Sequence, residues 1–227
     1  MKNILQRGLI AITFVFISAA LTGTAHAQQN NEVLKRMEAY RQRLVTMRSN
    51  VTYEKYESNL NDRESREGRM IYLKNGNTKY FRIDWSKPNE SFAVIGDTYK
   101  LYQPSQSMLH VGKTGSAAKS AGASGPLGLL SMSREQIKSS FTIKYLGEEK
   151  VNGTTAAIHL ELTPTGKQSF KVADIWVNGD GLPVQMRTTA PNNDTQTVLL
   201  TRVEENPTLN GPDFEINPSA GTKIIRD

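Results

Sequence analysis

The sequence predicts a mainly β protein: one large antiparallel sheet of about eleven strands, strongly curled, with helices against its concave side. Three observations carry this. Segments of alternating apolar and polar residues recur at close spacing, and nearly every break between them has turn chemistry. An amphipathic helical segment precedes the first strand and needs an apolar surface to cover. The chain also has no cysteine, so its stability must come from a buried core.

Residues 1–27 read as an export signal. Lys2 and Arg7 give a positive start, Leu9 to Leu21 is an almost unbroken apolar run, and Ala25-His26-Ala27 is a small-x-small cleavage site. The run is short for a membrane span, which needs about 20 apolar residues. Cleavage there leaves residues 28–227 as a single domain, with the formal charge falling from +6 to +4. Lys and Arg are spread along the chain and form no nucleic-acid groove.

Helical periodicity runs from Asn31 to Met47, with Val33, Leu34, Met37, Tyr40, Leu44 and Met47 on one face. Strands are expected at Val51 to Ser58 and Arg66 to Lys74, the second ending at the Asn75-Gly76 hairpin signal. Thr78 to Trp85, Ser91 to Ile95, Thr98 to Gln103 and Met108 to Val111 follow. Gly112 to Gly125 is a Gly/Ala/Ser segment with little reason to hold one conformation. Two short helices come next, Pro126 to Leu130 and Ser133 to Ile137, the latter with Ser133 and Gln136 at capping-box spacing. Five further strands are expected at Phe141 to Lys150, Thr154 to Thr163, Phe170 to Asn178, Pro183 to Thr189 and Gln196 to Glu204.

Catalytic constellations are scarce. Past the signal only His110 and His159 remain, neither at metal-ligand spacing from a second histidine or a carboxylate, and His159 is expected on an outer strand face. The nucleophile-elbow, P-loop and dinucleotide fingerprints are all missing from the sequence. A non-enzymatic protein with no cofactor and no metal site is the expectation.

Lys79 to Pro104 holds the most specific signature: Phe81-Arg82 followed by Trp85 and Pro88, an apolar strand, the Gly96-Asp97 turn and Tyr102-Gln103-Pro104. It resembles the outer-membrane lipoprotein carrier family (LolA-like). The ending Phe214-Glu215-Ile216-Asn217-Pro218, followed by Gly221, is similar to that family's finish. The resemblance implies an unclosed eleven-stranded half-barrel with a helical lid. It further implies a periplasmic carrier that hides acyl chains of lipoproteins or lipids. An inner-membrane lipoprotein-releasing transporter and an outer-membrane acceptor would be its partners, and the carrier itself would work as a monomer. The second reading is an envelope-sensing module of the same fold. Regulators of that kind carry a further C-terminal domain, for which the 200 residues after the signal leave no room.

Alternation nominates the cavity residues, because side chains on a strand point to opposite faces in turn. Phe81, Ile83 and Trp85 share one face and Ile158, Leu160 and Leu162 another; Leu129, Leu130, Ile137 and Phe141 belong to the lid region. The same alternation equally suits a sheet that only packs against helices, and the resemblance is what tips the group toward a ligand cavity. Phe81 matches the family's aromatic cavity residue. The family's lid-latching arginine falls near Asn77 here, so Arg69 becomes the candidate latch, while Arg82 reads as a solvated residue of the outer face.

Overall fold

In the computed structural model, which describes residues 28–114 and 126–226, a helix over residues 28–43 (α1) leads directly into the sheet. The strands are β1 (Thr46–Glu57), β2 (Asp62–Asn75), β3 (Thr78–Trp85), β4 (Glu90–Ile95), β5 (Thr98–Gln103) and β6 (Met108–Lys113). A 3-10 helix (Pro126–Ser131) and a short α-helix, α2 (Arg134–Ser140), then precede β7 (Phe141–Val151), β8 (Thr155–Pro164), β9 (Val172–Asn178), β10 (Pro183–Thr189), β11 (Thr195–Glu205) and β12 (Lys223–Arg226). The proposed signal and residues 115–125 of the Gly/Ala/Ser segment lie outside the described residues.

All twelve strands form one sheet in the order β12-β6-β5-β4-β3-β2-β1-β11-β10-β9-β8-β7. The two ends of that order, β12 and β7, are not paired with each other, so the curled sheet is unclosed. Every ladder is antiparallel except β12 on β6, which is parallel. This topology explains the lid. Strands β6 and β7 are consecutive in the chain yet lie at opposite ends of the sheet, so the segment between them has to cross from one side to the other. The 3-10 helix of that segment packs on β10 and β11, and α2 packs on β7.

Local chemistry matches the elements. Ser133 and Gln136 form the expected capping box, in which the Ser133 hydroxyl accepts from the Gln136 backbone N–H and the Gln136 side chain accepts from the Ser133 backbone N–H. The β2–β3 turn has Gly76 in the left-handed region (φ 59°), the conformation that the Asn-Gly pair favours.

The core lies between α1 and the β1, β2 and β8–β11 part of the concave face. Val33 and Leu34 of α1 are buried in one cluster with Met70, Leu160, Ile175, Met186 and Val198. Gly181 lets α1 come this close: it sits at φ 98°, and a Cβ there would meet the Arg36 carbonyl oxygen at 2.3 Å.

Three expectations change. The helix ends before Met47, which belongs to β1; Met47 is buried all the same, so a core-facing strand residue extended the helical pattern by one step. Gly112 and Lys113 are ordered strand residues of β6, and Gly112 is there because Tyr99, directly opposite, lies against its backbone; a Cβ would come within 2.7 Å of that ring. Finally, the described residues hold twelve strands rather than about eleven. The C-terminal segment crosses the outer face, where Phe214 packs on Tyr80 and Ile216 joins Ala93 and Leu109, and then adds β12 to the free edge of β6.

Candidate functional site

A cavity of about 450 Å³ opens between α1, strands β2–β4 and the lid. That volume lies within the range of roughly 300–1,000 Å³ seen for small-molecule sites. Its sheet wall is Met70, Tyr72, Phe81, Phe92 and Val94, its helix wall Leu34, Met37, Tyr40 and Leu44, and its lid wall Leu127, Leu129, Leu130, Met132 and Ile137. Four methionines line it, Met37, Met47, Met70 and Met132. Thioether side chains re-pack at low cost, so this wall can adapt to chains of differing shape.

Of the residues nominated from sequence, Phe81, Leu129, Leu130 and Ile137 meet at this cavity. The others pack elsewhere. Ile83, Leu160 and Leu162 are fully buried in the core under α1, and Ile158 packs at its margin. Phe141 is buried against Phe170, their rings stacked with centroids 6.2 Å apart. Trp85 lies further along β3, edge-on to Tyr53 at 6.3 Å. Alternation identifies the face correctly for these residues, but the C-terminal half of that face is filled by α1 and the lid, and only the β2–β4 part stays open.

The lid is held by α1. Glu38 is the centre of this contact: one carboxylate oxygen accepts from the Arg41 guanidinium and from Gln42 Nε2 at 3.0 Å, and the other accepts from the Arg134 backbone N–H at 3.3 Å, at the start of α2. Hydrogen bonding by Arg41, followed by the Arg134 backbone and Gln42 contacts, outweighs the cost of burial and holds the Glu38 carboxyl at about 2. Asn31 adds a second tie, its Oδ1 accepting from Arg134 Nη2 and from Lys138 Nζ at 2.9 Å. Arg69, the latch candidate from sequence, is exposed and lies on the strand face opposite Met70, away from the helices. The tie between helix and lid is long-range in sequence, which is why no local pattern announces it.

Arg82 is more than a solvated residue. It pairs with Asp84 at 2.9 Å and donates to the backbone carbonyls of Asp213 and Glu215, fastening the C-terminal segment to the outer face. His159 is on the outer face as expected, but it is buried (7 % exposed) between two carboxylates. Its Nδ1 lies 2.8 Å from Glu149 Oε1, its Nε2 lies 2.8 Å from Asp174 Oδ1, and its ring stacks on Trp176 at 4.2 Å. Burial alone would lower the imidazole pKa; the bonds to Asp174 and Glu149 outweigh it and raise it. Arg187 closes the cluster, 3.0 Å from Asp174 Oδ2.

The sequence profile of the outer membrane lipoprotein carrier protein LolA matches residues 46–217. This chain belongs to the LolA family. No curated protein matches it. Among solved structures, an uncharacterized conserved protein from Thermus thermophilus shares the fold with a TM-score of 0.58 at 12% identity, over 88% of this chain and 99% of that one. The lipoprotein LppX of Mycobacterium tuberculosis aligns at a TM-score of 0.48 and 13% identity, over 78% of this chain and 96% of that one. A LolA superfamily protein from Nitrosomonas europaea aligns at 0.42 and 11%, over 82% and 97%. Among the described residues of this LolA-family chain, no helix is long and apolar enough to cross a membrane.

Proposed function

We propose that this LolA-family chain is a periplasmic carrier, active after removal of residues 1–27, that shields the acyl chains of lipoproteins or lipids on their way from the inner to the outer membrane. The observation that carries this reading is the apolar cavity of about 450 Å³ enclosed by sheet, α1 and lid. Each buried methylene is worth about 0.8 kcal/mol, so leaving a sixteen-carbon chain in water costs on the order of 12 kcal/mol. A cargo of that kind needs a covered route.

Phe81 forms the sheet wall of the site, and Leu129, Leu130 and Ile137 form the lid wall. With cargo absent, lid and helix shield much of the same apolar surface from water. Cargo shifts the population toward an opened lid in proportion to its preference for that state. An inner-membrane lipoprotein-releasing transporter would load the carrier and an outer-membrane acceptor with higher affinity would unload it. No chemistry on the cargo is required of the carrier.

Mass spectrometry of what co-purifies with the chain from a native periplasmic extract tests this reading. Acylated proteins or lipids, at about one per chain, are the expected result. A preparation free of acyl groups, which also fails to take up acylated protein from a reconstituted inner-membrane transporter, would overturn it.

A further inference from the structure

The apolar cavity has a cationic mouth. Four basic residues line it, Arg41, Lys74, Lys79 and Arg134, against the single carboxylate of Glu38. Lys74 and Lys79 stand directly opposite each other on β2 and β3, one pair from the turn of the hairpin. Like charges in that position repel and weaken a strand pair. Nothing in the described fold offsets this repulsion: Lys74 Nζ donates only to neutral carbonyls at the end of α1, Gln42 at 3.1 Å and Arg41 at 3.5 Å, and exposed Lys79 has no ion pair. The neighbouring acid, Asp97, is already paired with Lys113 at 2.7 Å.

The lid side carries a second signal. Arg134 gives its backbone N–H to Glu38 and one guanidinium nitrogen to Asn31, yet its buried Nε has no partner. Buried guanidinium N–H groups without an acceptor are costly, and a carboxylate or phosphate oxygen is the acceptor they bind best. Glu38 does not fill this role, because its oxygens are taken by Arg41, Gln42 and the Arg134 backbone.

We propose, building on the carrier reading, that the cavity takes an amphiphile with an anionic headgroup, a phosphate or carboxylate, which sits between Lys74 and Lys79 while its acyl chain enters between Phe81 and Leu129. A neutral acylated cargo would leave the lysine pair uncompensated. An anion there removes the repulsion on the sheet side, and the unpartnered Arg134 Nε is a further donor on the lid side of the same cavity.

Titration calorimetry on the full domain tests this with three probes below their micelle concentrations: dodecyl phosphate, monolaurin as a neutral amphiphile of equal chain length, and inorganic phosphate. Dodecyl phosphate is expected to bind about tenfold or more tighter than monolaurin, as a charge-assisted contact predicts, and inorganic phosphate only weakly. Lys79→Gln and Lys74→Gln should each narrow that gap, and raised salt should do the same. Because Lys79 is exposed, its substitution leaves the core untouched. Equal binding of both amphiphiles, or a gap unchanged in the lysine variants, would overturn the headgroup inference and leave the carrier reading standing. Inorganic phosphate binding as tightly as dodecyl phosphate would also overturn it, since the chain would then contribute nothing. Failure of both amphiphiles to bind would sink the two readings together.

Discussion

The Glu38 carboxylate of α1 accepts the backbone N–H of Arg134, 3.3 Å away across 96 positions of sequence, and so joins the first element of the fold to the first turn of the lid helix. Lid position is thereby set by a helix that also supplies one wall of the cavity. Ile137 of α2 and Leu129 of the preceding 3-10 helix both line that cavity.

Glu38→Ala should loosen the lid. Hydrogen exchange in residues 126–140 is expected to rise several-fold while β9 and β10 stay protected. The pH dependence has a definite sign: a carboxyl held at about 2 contributes stability above its unfolded value near 4.3, and loses it as pH falls from there toward 2. The difference in urea midpoint between wild type and variant should be flat above about pH 5 and shrink below it. A difference that grows on acidification contradicts the assignment.

The His159 cluster predicts the opposite dependence. A raised imidazole pKa contributes stability that is fully present below its unfolded value near 6.5 and is lost as pH rises through the folded value. Relative to His159→Gln, wild type should gain stability at pH 5.5 and lose that advantage by pH 8.5. An NMR titration of the His159 ring should have its midpoint above 6.5; a midpoint below it would mean that burial outweighs the two carboxylates.

Gly181→Ala should destabilise the fold by on the order of 2 kcal/mol or more, because the added Cβ meets the α1 backbone and the left-handed conformation is lost to alanine. Gly179→Ala is the control, with nothing within 4 Å of its Cβ. Equal urea midpoints for the two variants would show that α1 can shift without cost.

Much of the sheet is legible in the sequence because strand alternation and turn chemistry are local. β3, β5 and β10 have the bounds that their patterns imply, each starting shortly after a turn-favouring pair: Asn75-Gly76, Gly96-Asp97 and Gly179-Asp180. The capping box of α2 is legible for the same reason. What depends on distant partners is hidden. β12 pairs in parallel with a strand more than a hundred residues earlier, and nothing in Lys223 to Arg226 names that partner. Glu149 reaches His159 diagonally across the β7–β8 ladder, in which His159 stands opposite Gly147 and Glu149 opposite Ala157, so their spacing in sequence does not show the contact.

The site was legible by face and not by depth. Phe81 and Ile83 are two residues apart on the same side of β3, yet one lines the cavity and the other is buried under its neighbours, at 2 % exposure. Lys74 and Lys79 look like ordinary strand ends until the hairpin register sets them face to face over the cavity.

Phe81→Glu should impair acyl binding while leaving the fold intact, since Phe81 is half-buried at the cavity and not part of the sealed core. The circular dichroism spectrum should be unchanged and uptake of an acyl probe reduced at least tenfold, as expected for a charge placed in an apolar site. Wild-type uptake would count against a role for this wall.

Photo-crosslinking to a labelled acyl chain tests the central claim most directly, with a photoreactive residue placed at Phe81 on the cavity face or at Arg82 on the outer face of the same strand. The cavity account predicts acyl adducts from position 81 and none above background from position 82. Equal labelling at both positions, or none at 81, would contradict it.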